Sequence, residues 1–203
     1  MDHNVKQRIL SEAEKFVFTY GVKSMTMDEL AKRIGISKRT IYETFEDKDA
    51  LITAVIQERK LQNEKNSVKL LNKFPTIIHV FFHLIKDSGK QDLFSKADEI
   101  KRYHPLVYQK EIVEYKKNRM KQSEKVFELG IKQGVFRSDI ELGIVSDMFH
   151  TISHQLFENE SSIKENYSLE KIFYTFILIF LRGISTPKGL KIIDSLQKTE
   201  KLF

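Results

Sequence analysis

The chain of 203 residues contains no cysteine, no tryptophan, three prolines and eight glycines. The lack of cysteine excludes disulfide bonds, thiolate metal ligands and cysteine nucleophiles. The scarcity of proline and glycine leaves few positions at which a helix must end. The most apolar run, Ile172 to Leu181, is too short to cross a bilayer. The first ten residues are polar, without the pattern of a secretory signal, so we expect a cytoplasmic protein with no membrane partner.

Positive charge is abundant overall but not in the N-terminal part. The net charge is +6, whereas residues 1–60 hold eleven Lys/Arg and ten Asp/Glu, a net charge of +1. The placement of the cations is more informative than their number. Four of them flank Gly35: Lys32, Arg33, Lys38 and Arg39. No acidic residue lies between Glu29 and Glu43, so a local edge of positive charge is predicted there.

Apolar residues recur at helical spacing through almost the whole chain, and no strand-like alternation of useful length competes with them. We therefore predict an all-α fold. Pro105 is predicted to open a long helix that runs toward Gly130 or Gly134. The last predicted helix begins after a Ser168 cap and ends at Gly183.

Residues 26–51 read TMDELAKRIGISKRTIYETFEDKDAL and predict two short helices joined by a turn at Gly35. This is the layout of a helix-turn-helix, whose second helix enters the major groove of double-stranded DNA. The apolar side chains of Ile41 and Phe45 are expected in the core. The candidates for reading bases are Lys38, Arg39, Thr40, Glu43 and Thr44. The candidates for binding phosphates are Thr26, Ser37, Tyr42 and Lys48.

The segment IGISKRTIYETFEDKDAL resembles the TetR family of bacterial transcriptional regulators, and the resemblance covers roughly residues 9–55. It implies an N-terminal three-helix helix-turn-helix DNA-binding domain at residues 1–47 and a connecting helix at about 48–72. A larger helical domain for ligand binding and dimerisation would follow at 73–203. Arg39, Glu43 and Thr44 differ from the commonest residues of the family. These differences are expected to change which bases are read.

The last predicted helix is apolar on more than one face and must be covered on nearly all sides. The cover expected is a neighbouring helix on one side and a second subunit on the other. A homodimer also doubles a short DNA site into a palindromic operator. The candidates for the dimer interface are Phe149, Ile152, Phe173, Phe176, Ile177 and Phe180.

A small apolar or aromatic ligand among the C-terminal helices would change the distance between the two reading helices of a dimer. Weak candidates for lining such a pocket are Phe82, Tyr103, Tyr108 and Phe149. The function that follows is a repressor released from its operator by a small molecule. A transcriptional activator on the same fold is the alternative.

Histidines four residues apart on a helix can meet one metal ion, and His150 and His154 have this spacing, with Glu158 one turn further. A helical metalloprotein is therefore a remote alternative. No neighbouring cluster supplies the remaining ligands, so we predict no metal site and no cofactor. The sequence also lacks a phosphate loop, a nucleophile elbow and a catalytic carboxylate pair, so we expect no enzyme activity.

Overall fold

The computed structural model describes residues 3–86, 96–157 and 162–199. These residues form helices and no strands, and an isolated antiparallel bridge joins Phe136 to Ser185. The all-α prediction is confirmed. The helices are α1 (His3–Tyr20), α2 (Met27–Ile34), α3 (Lys38–Thr44), α4 (Lys48–Lys73), α5 (Ile77–Lys86), α6 (Ala97–Tyr103), α7 (Pro105–Val107), α8 (Glu114–Lys132), α9 (Leu142–Phe157), α10 (Leu169–Ile184) and α11 (Pro187–Thr199).

The segment that Pro105 opens is continuous in helical character but changes its winding. A π-helical stretch, Tyr108–Val113, separates α7 from α8. A short 3-10 helix, Ser162–Glu165, precedes α10. Among the described residues, no helix has both the length and the apolar character needed to cross a bilayer.

The described residues divide into two compact units. The first contains residues up to 64 and residues 96–116. Its core is formed by apolar side chains of α1 to α4 together with α6 and the π-helical stretch. Ile9, Leu30, Ile41, Leu51 and Ile112 are fully buried in it.

The position of residues 96–116 differs from the predicted division, which assigned everything after residue 73 to the C-terminal domain. Several polar contacts connect this segment with the N-terminal part of the first unit, including the following two. Glu99 accepts a hydrogen bond from the backbone N–H of Lys23 at 2.8 Å. His104 Nδ1 lies 2.5 Å from Asp49 Oδ1. The predicted connecting helix at about 48–72 corresponds to α4.

The second unit contains residues 65–86 and the described residues from 117 onward. Its core joins α5, α8, α9, α10 and α11 around the fully buried ring of Phe127. Phe149 lies among further rings, with centroids 5.1 Å from Phe180, 5.6 Å from Phe176 and 5.8 Å from Phe127. Aromatic packing therefore dominates this core.

Helix α11 lies beyond Gly183, where the last predicted helix ended. Pro187 stands in its first turn, a position that proline favours, and Ile193 is fully buried. This helix contacts both α5 and α10. Part of the cover that the apolar α10 requires therefore comes from within the same chain. Helix α10 also passes Gly183 and ends at Ile184, because that glycine continues the helix instead of capping it.

A substitution at Gly130 would test the packing of the second unit. A Cβ added there would lie 2.0 Å from Cδ2 of Phe136, a ring that is almost fully buried. We expect Gly130→Ala to lower the free energy of unfolding by about 1–3 kcal/mol, the cost typical of overpacking. Chemical denaturation measures the change.

Gly143→Ala is the matched control, because a Cβ at this helical glycine meets no atom within 4 Å. We expect it to leave stability unchanged or to raise it by up to about 1 kcal/mol, since alanine favours helix more than glycine does. Equal destabilisation by the two substitutions would contradict the packing around Phe136.

Candidate nucleic-acid interface

Helix α2 begins at a well-defined cap. The hydroxyl of Thr26 accepts a hydrogen bond from the backbone N–H of Glu29 at 3.1 Å. This satisfies one of the N–H groups that have no partner within the helix. The Thr26 hydroxyl, a predicted phosphate contact, is thus already engaged as an acceptor, and its side chain is exposed.

Gly35 turns the chain between α2 and α3. Its φ of 72° and ψ of 38° place it in the left-handed region, where glycine has no steric cost. Its N–H donates to the carbonyls of Ala31 (3.0 Å) and Lys32 (3.3 Å), which ends α2. The predicted turn is therefore formed by a residue suited to it.

Ser37 caps α3. Its hydroxyl accepts the backbone N–H of Thr40 at 3.1 Å and also shares a 2.8 Å hydrogen bond with the Thr40 hydroxyl. The Thr44 hydroxyl donates to the carbonyl of Thr40 at 2.7 Å. Three hydroxyls that the sequence proposed for DNA contact therefore make hydrogen bonds within α3 and its cap.

The two sides of α3 differ as predicted. Ile41 is fully buried and Phe45, the residue that ends the helix, is nearly so, which confirms the expectation that both belong to the core. The side chains of Lys38, Arg39 and Tyr42 are exposed. The helix therefore presents two cations and a phenol on its outer surface.

Lys38 connects α3 to α2. Its ammonium lies 2.7 Å from Asp28 Oδ1 and 5.8 Å from the centroid of the Tyr42 ring. The hydrogen bond with Asp28 raises the pKa of Lys38, so the ammonium remains charged across the physiological range. Asp28 was not among the predicted site residues, because a contact between two helices cannot be predicted from the spacing of residues within one helix.

Arg39 forms an ion pair within α3. Its Nε lies 2.7 Å from Oε1 of Glu43, one helical turn further along. The spacing i, i+4 gives a sequence signal for this pair. Both residues were predicted to read bases, and the structure joins them to each other.

Lys48 is the first residue of α4 and is partly buried. Burial lowers its pKa, while the nearby carboxylates of Asp49 and Glu99 act in the opposite direction. Its ammonium is therefore less freely presented than those of Lys38 and Arg39. A phosphate contact by Lys48 remains a prediction.

The structure does not gather the four predicted ligand-lining residues into one unit. Phe82 and Phe149 lie in the core of the second unit. Tyr103 and Tyr108 belong to the first unit, where Lys23 faces the Tyr103 ring and Lys101 faces the Tyr108 ring.

The predicted dimer residues occupy different depths of the second unit. Ile177 is 1% exposed and belongs to the core of the second unit, so its side chain cannot contact a second subunit directly. The side chains of the remaining candidates are half-buried: Phe149, Ile152, Phe173, Phe176 and Phe180. Among the described side chains of α9 and α10, the most exposed apolar ones are Ile144, Met148 and Ile179, and none of them was among the predicted interface residues.

His150 participates in a hydrogen-bonded chain of side chains. Its Nε2 lies 2.8 Å from the Ser123 hydroxyl, which is 2.5 Å from the hydroxyl of the buried Ser146. Among the described residues, no group of three His, Asp or Glu side chains is placed to hold a metal ion. The His154 side chain and Glu158, the other members of the predicted metal face, lie outside the described part.

The geometry defines a class of protein, a helix-turn-helix protein with a separate helical unit. The family model described as "Bacterial regulatory proteins, tetR family" matches residues 9–55. This match confirms the resemblance of the N-terminal motif to the TetR family.

A curated relative is also described as a helix-turn-helix protein. The chain is 27% identical over 103 residues to the uncharacterized HTH-type transcriptional regulator YvaF of Bacillus subtilis (strain 168). The match covers 48% of this chain and 53% of that protein, so the chain spans about half the length of this relative.

Solved structures share the fold over most of the chain. A TetR-family transcriptional regulator from Agrobacterium tumefaciens superposes with a TM-score of 0.76 at 16% identity, covering 90% of this chain and 98% of that one. A putative transcriptional regulator from Saccharomonospora viridis, solved in complex with choline, gives a TM-score of 0.77 at 14% identity. That match covers 91% of this chain and all of the other. At these identities the likeness concerns the fold.

The surroundings of His150 predict a pH dependence of stability. Burial lowers the pKa of His150, and the positive charge of Arg119 lowers it further. In the unfolded chain, His150 has a pKa near the ordinary value of 6.5. In the folded protein its pKa is lower, so it binds a proton less readily. Stability is therefore unaffected by this group above pH 6.5 and falls as the pH drops below that value. The expected loss is at most about 1.4 kcal/mol per pH unit.

His150→Gln removes this contribution. When the pH is lowered from 8 to 5.5, we expect the free energy of unfolding to decrease more for the wild type than for the variant. Urea denaturation at both pH values measures it. An identical difference at the two pH values would contradict the inferred shift.

Proposed function

We propose that this protein is a sequence-specific DNA-binding transcriptional regulator. The observation that carries the proposal is the two-sided construction of α3, which is anchored by Ile41 and presents Lys38, Arg39 and Tyr42 outward. Such a helix at the end of a helix-turn-helix is suited to insertion in the major groove. Arg39 is assigned to a base edge and Tyr42 to a phosphate. Lys38, a candidate for reading bases, is assigned here to a phosphate, its alternative role.

DNA-binding measurements test this proposal. Fluorescence anisotropy with the chain's own upstream DNA and with unrelated duplexes, at several salt concentrations, should show preferential binding and a steep loss of affinity with salt. Mapping of bound sites across the genome would then supply the operator. Binding with neither sequence preference nor salt dependence would reject the proposal.

Asp28 competes with DNA for the ammonium of Lys38, because the two side chains form an ion pair in the free protein. We expect Asp28→Asn to raise affinity for all duplexes alike by about two- to fivefold, the range typical of an exposed ion pair. Lys38→Ala should weaken binding to all duplexes alike. It should also reduce by about one the slope of the logarithm of affinity against the logarithm of salt concentration.

Asp98→Asn is the control for the change of charge. Asp98 is an exposed aspartate of α6 in the same unit. An equal gain in affinity from both asparagine variants would indicate a general electrostatic effect and contradict a specific release of Lys38. Anisotropy titrations at matched ionic strength make the comparison.

We also infer that the protein acts as a homodimer through α9 and α10, which pack against each other. Ile144, Met148 and Ile179 leave 52–68% of their side chains exposed in the single chain. Large exposed apolar side chains on neighbouring helices are typical of subunit interfaces. Two copies of α3 would then read a palindromic operator, and such a regulator would work in the bacterial cytoplasm.

Ile179→Glu tests the interface. We expect the variant to dissociate at concentrations at which the wild type is dimeric, with a dimer dissociation constant at least about tenfold higher. Analytical ultracentrifugation measures the mass. Ile163→Glu changes another exposed apolar residue of the same unit and should leave the mass unchanged. A monomeric wild type would contradict the proposal.

A small molecule is the proposed effector. Such a compound would be apolar or aromatic and would contact aromatic side chains of the second unit, including Phe82 and Phe149. The choline complex of the Saccharomonospora viridis protein supports a small-molecule site in this fold. Release of the operator on ligand binding makes the protein a repressor, and activation on the same fold is the second candidate.

A further inference from the structure

The ion pair between Arg39 and Glu43 has a geometry that bears on how a base is read. Glu43 Oε1 lies 2.7 Å from Nε of Arg39, and Nε is the innermost of the guanidinium nitrogens. The Arg39 side chain is 85% exposed. The carboxylate therefore holds the guanidinium from its inner edge and leaves the outer edge, with its two terminal NH2 groups, facing solvent.

Because Nε is engaged by Glu43, the outer edge is the part of the guanidinium that is left to recognise guanine. An arginine donates two parallel hydrogen bonds to O6 and N7 of guanine, and this requires the guanidinium plane to be aligned with the base. A free arginine side chain samples many rotamers and loses that freedom on binding. A carboxylate one helical turn away restricts these rotamers before DNA arrives.

The helix beneath the pair is itself held in place. Ser37 caps its first turn, and Ile41, between Arg39 and Glu43 in the sequence, is fully buried. The two backbone positions that carry the pair are therefore fixed. The orientation of Arg39 is then decided by its own rotamers and by Glu43.

The same carboxylate has an opposite effect on affinity. It brings a negative charge toward the phosphates of any duplex, and this repulsion does not depend on base sequence. In water the exposed pair is weak, whereas in a groove from which water is excluded the attraction between Arg39 and Glu43 is stronger. Affinity and specificity therefore respond to Glu43 in opposite directions.

We propose that Glu43 is a positioning residue that orients Arg39 toward guanine, so that it increases discrimination at one base of each half-site and decreases affinity for DNA in general. The proposal rests on the proposed function. It assigns Glu43 a role through Arg39, in place of the direct contact with a base that the sequence suggested.

Selection from randomised duplexes followed by sequencing tests the proposal with six proteins. They are the wild type, Arg39→Ala, Glu43→Gln, Glu43→Ala, the double variant Arg39→Ala/Glu43→Ala and the control Glu46→Ala. The wild type should prefer guanine at one position per half-site, by about 5- to 150-fold. Arg39→Ala should abolish this preference and no other. Glu43→Ala should reduce the same preference at least about threefold while it raises affinity for the unselected pool.

Glu43→Gln separates positioning from charge. The amide keeps an acceptor for Nε of Arg39 but has no charge, so it should retain more of the guanine preference than Glu43→Ala does. In the double variant, the alanine at 43 should cause no further loss of preference. Glu46→Ala, at an exposed carboxylate just after α3, should change affinity without changing the guanine preference.

Several results would overturn the proposal. Glu43→Ala with an unchanged guanine preference would leave Glu43 as a simple repulsive charge. Loss of preference at a base other than the one affected by Arg39→Ala would make Glu43 a direct reader. An unaltered preference in Arg39→Ala would remove Arg39 from the readout. If the wild type selects no sequence at all, the proposed function itself fails, and this outcome is distinct from the other three.

Discussion

The burial of Ile41 is the constraint on which the candidate interface depends. Helix α3 has seven residues, and an isolated helix of that length is not stable in water. It exists because Ile41 is inserted in the core of the first unit, Phe45 is nearly buried at its end, and Ser37 satisfies its first turn. This anchoring also fixes which side chains face outward. A polar residue at 41 would remove the helix and, with it, the presentation of Lys38 and Arg39.

Most of the cations in α2 and α3 are arranged in ion pairs, and these do not form an unpaired excess of positive charge. Lys38 has Asp28 as its partner, Arg39 has Glu43, and Arg33 lies near Glu29. An acidic partner restricts a long cationic side chain and reduces its attraction for any polyanion. The N-terminal segment is consequently almost neutral although it carries eleven cations. Such an arrangement disfavours indiscriminate binding to phosphate, and the contacts that distinguish one duplex from another gain relative weight.

Local features could be predicted from the sequence, and contacts between distant segments could not. The Gly35 turn and the Ser168 cap follow from residue types next to a helical pattern, and each forms as expected. The docking of residues 96–116 with the N-terminal helices depends on pairs such as His104 with Asp49, which are 55 residues apart. The Lys38–Asp28 pair was missed for the same reason. Helix α11 was different, because Pro187 and the apolar spacing that buries Ile193 gave a signal that was not used.

Helix α10 was predicted to be covered by a neighbouring helix on one side and by a second subunit on the other. A helix with apolar residues on nearly all sides needs cover on nearly all sides. Helices α5, α9 and α11 each contact α10, and Ile177 and Leu181 are buried as a result. Ile179 remains 68% exposed. Because the other sides are already occupied within the chain, the proposed second subunit would contact α10 on the side that carries Ile179. A narrower apolar surface defines the orientation of a two-fold partner more strictly than a helix exposed all round would.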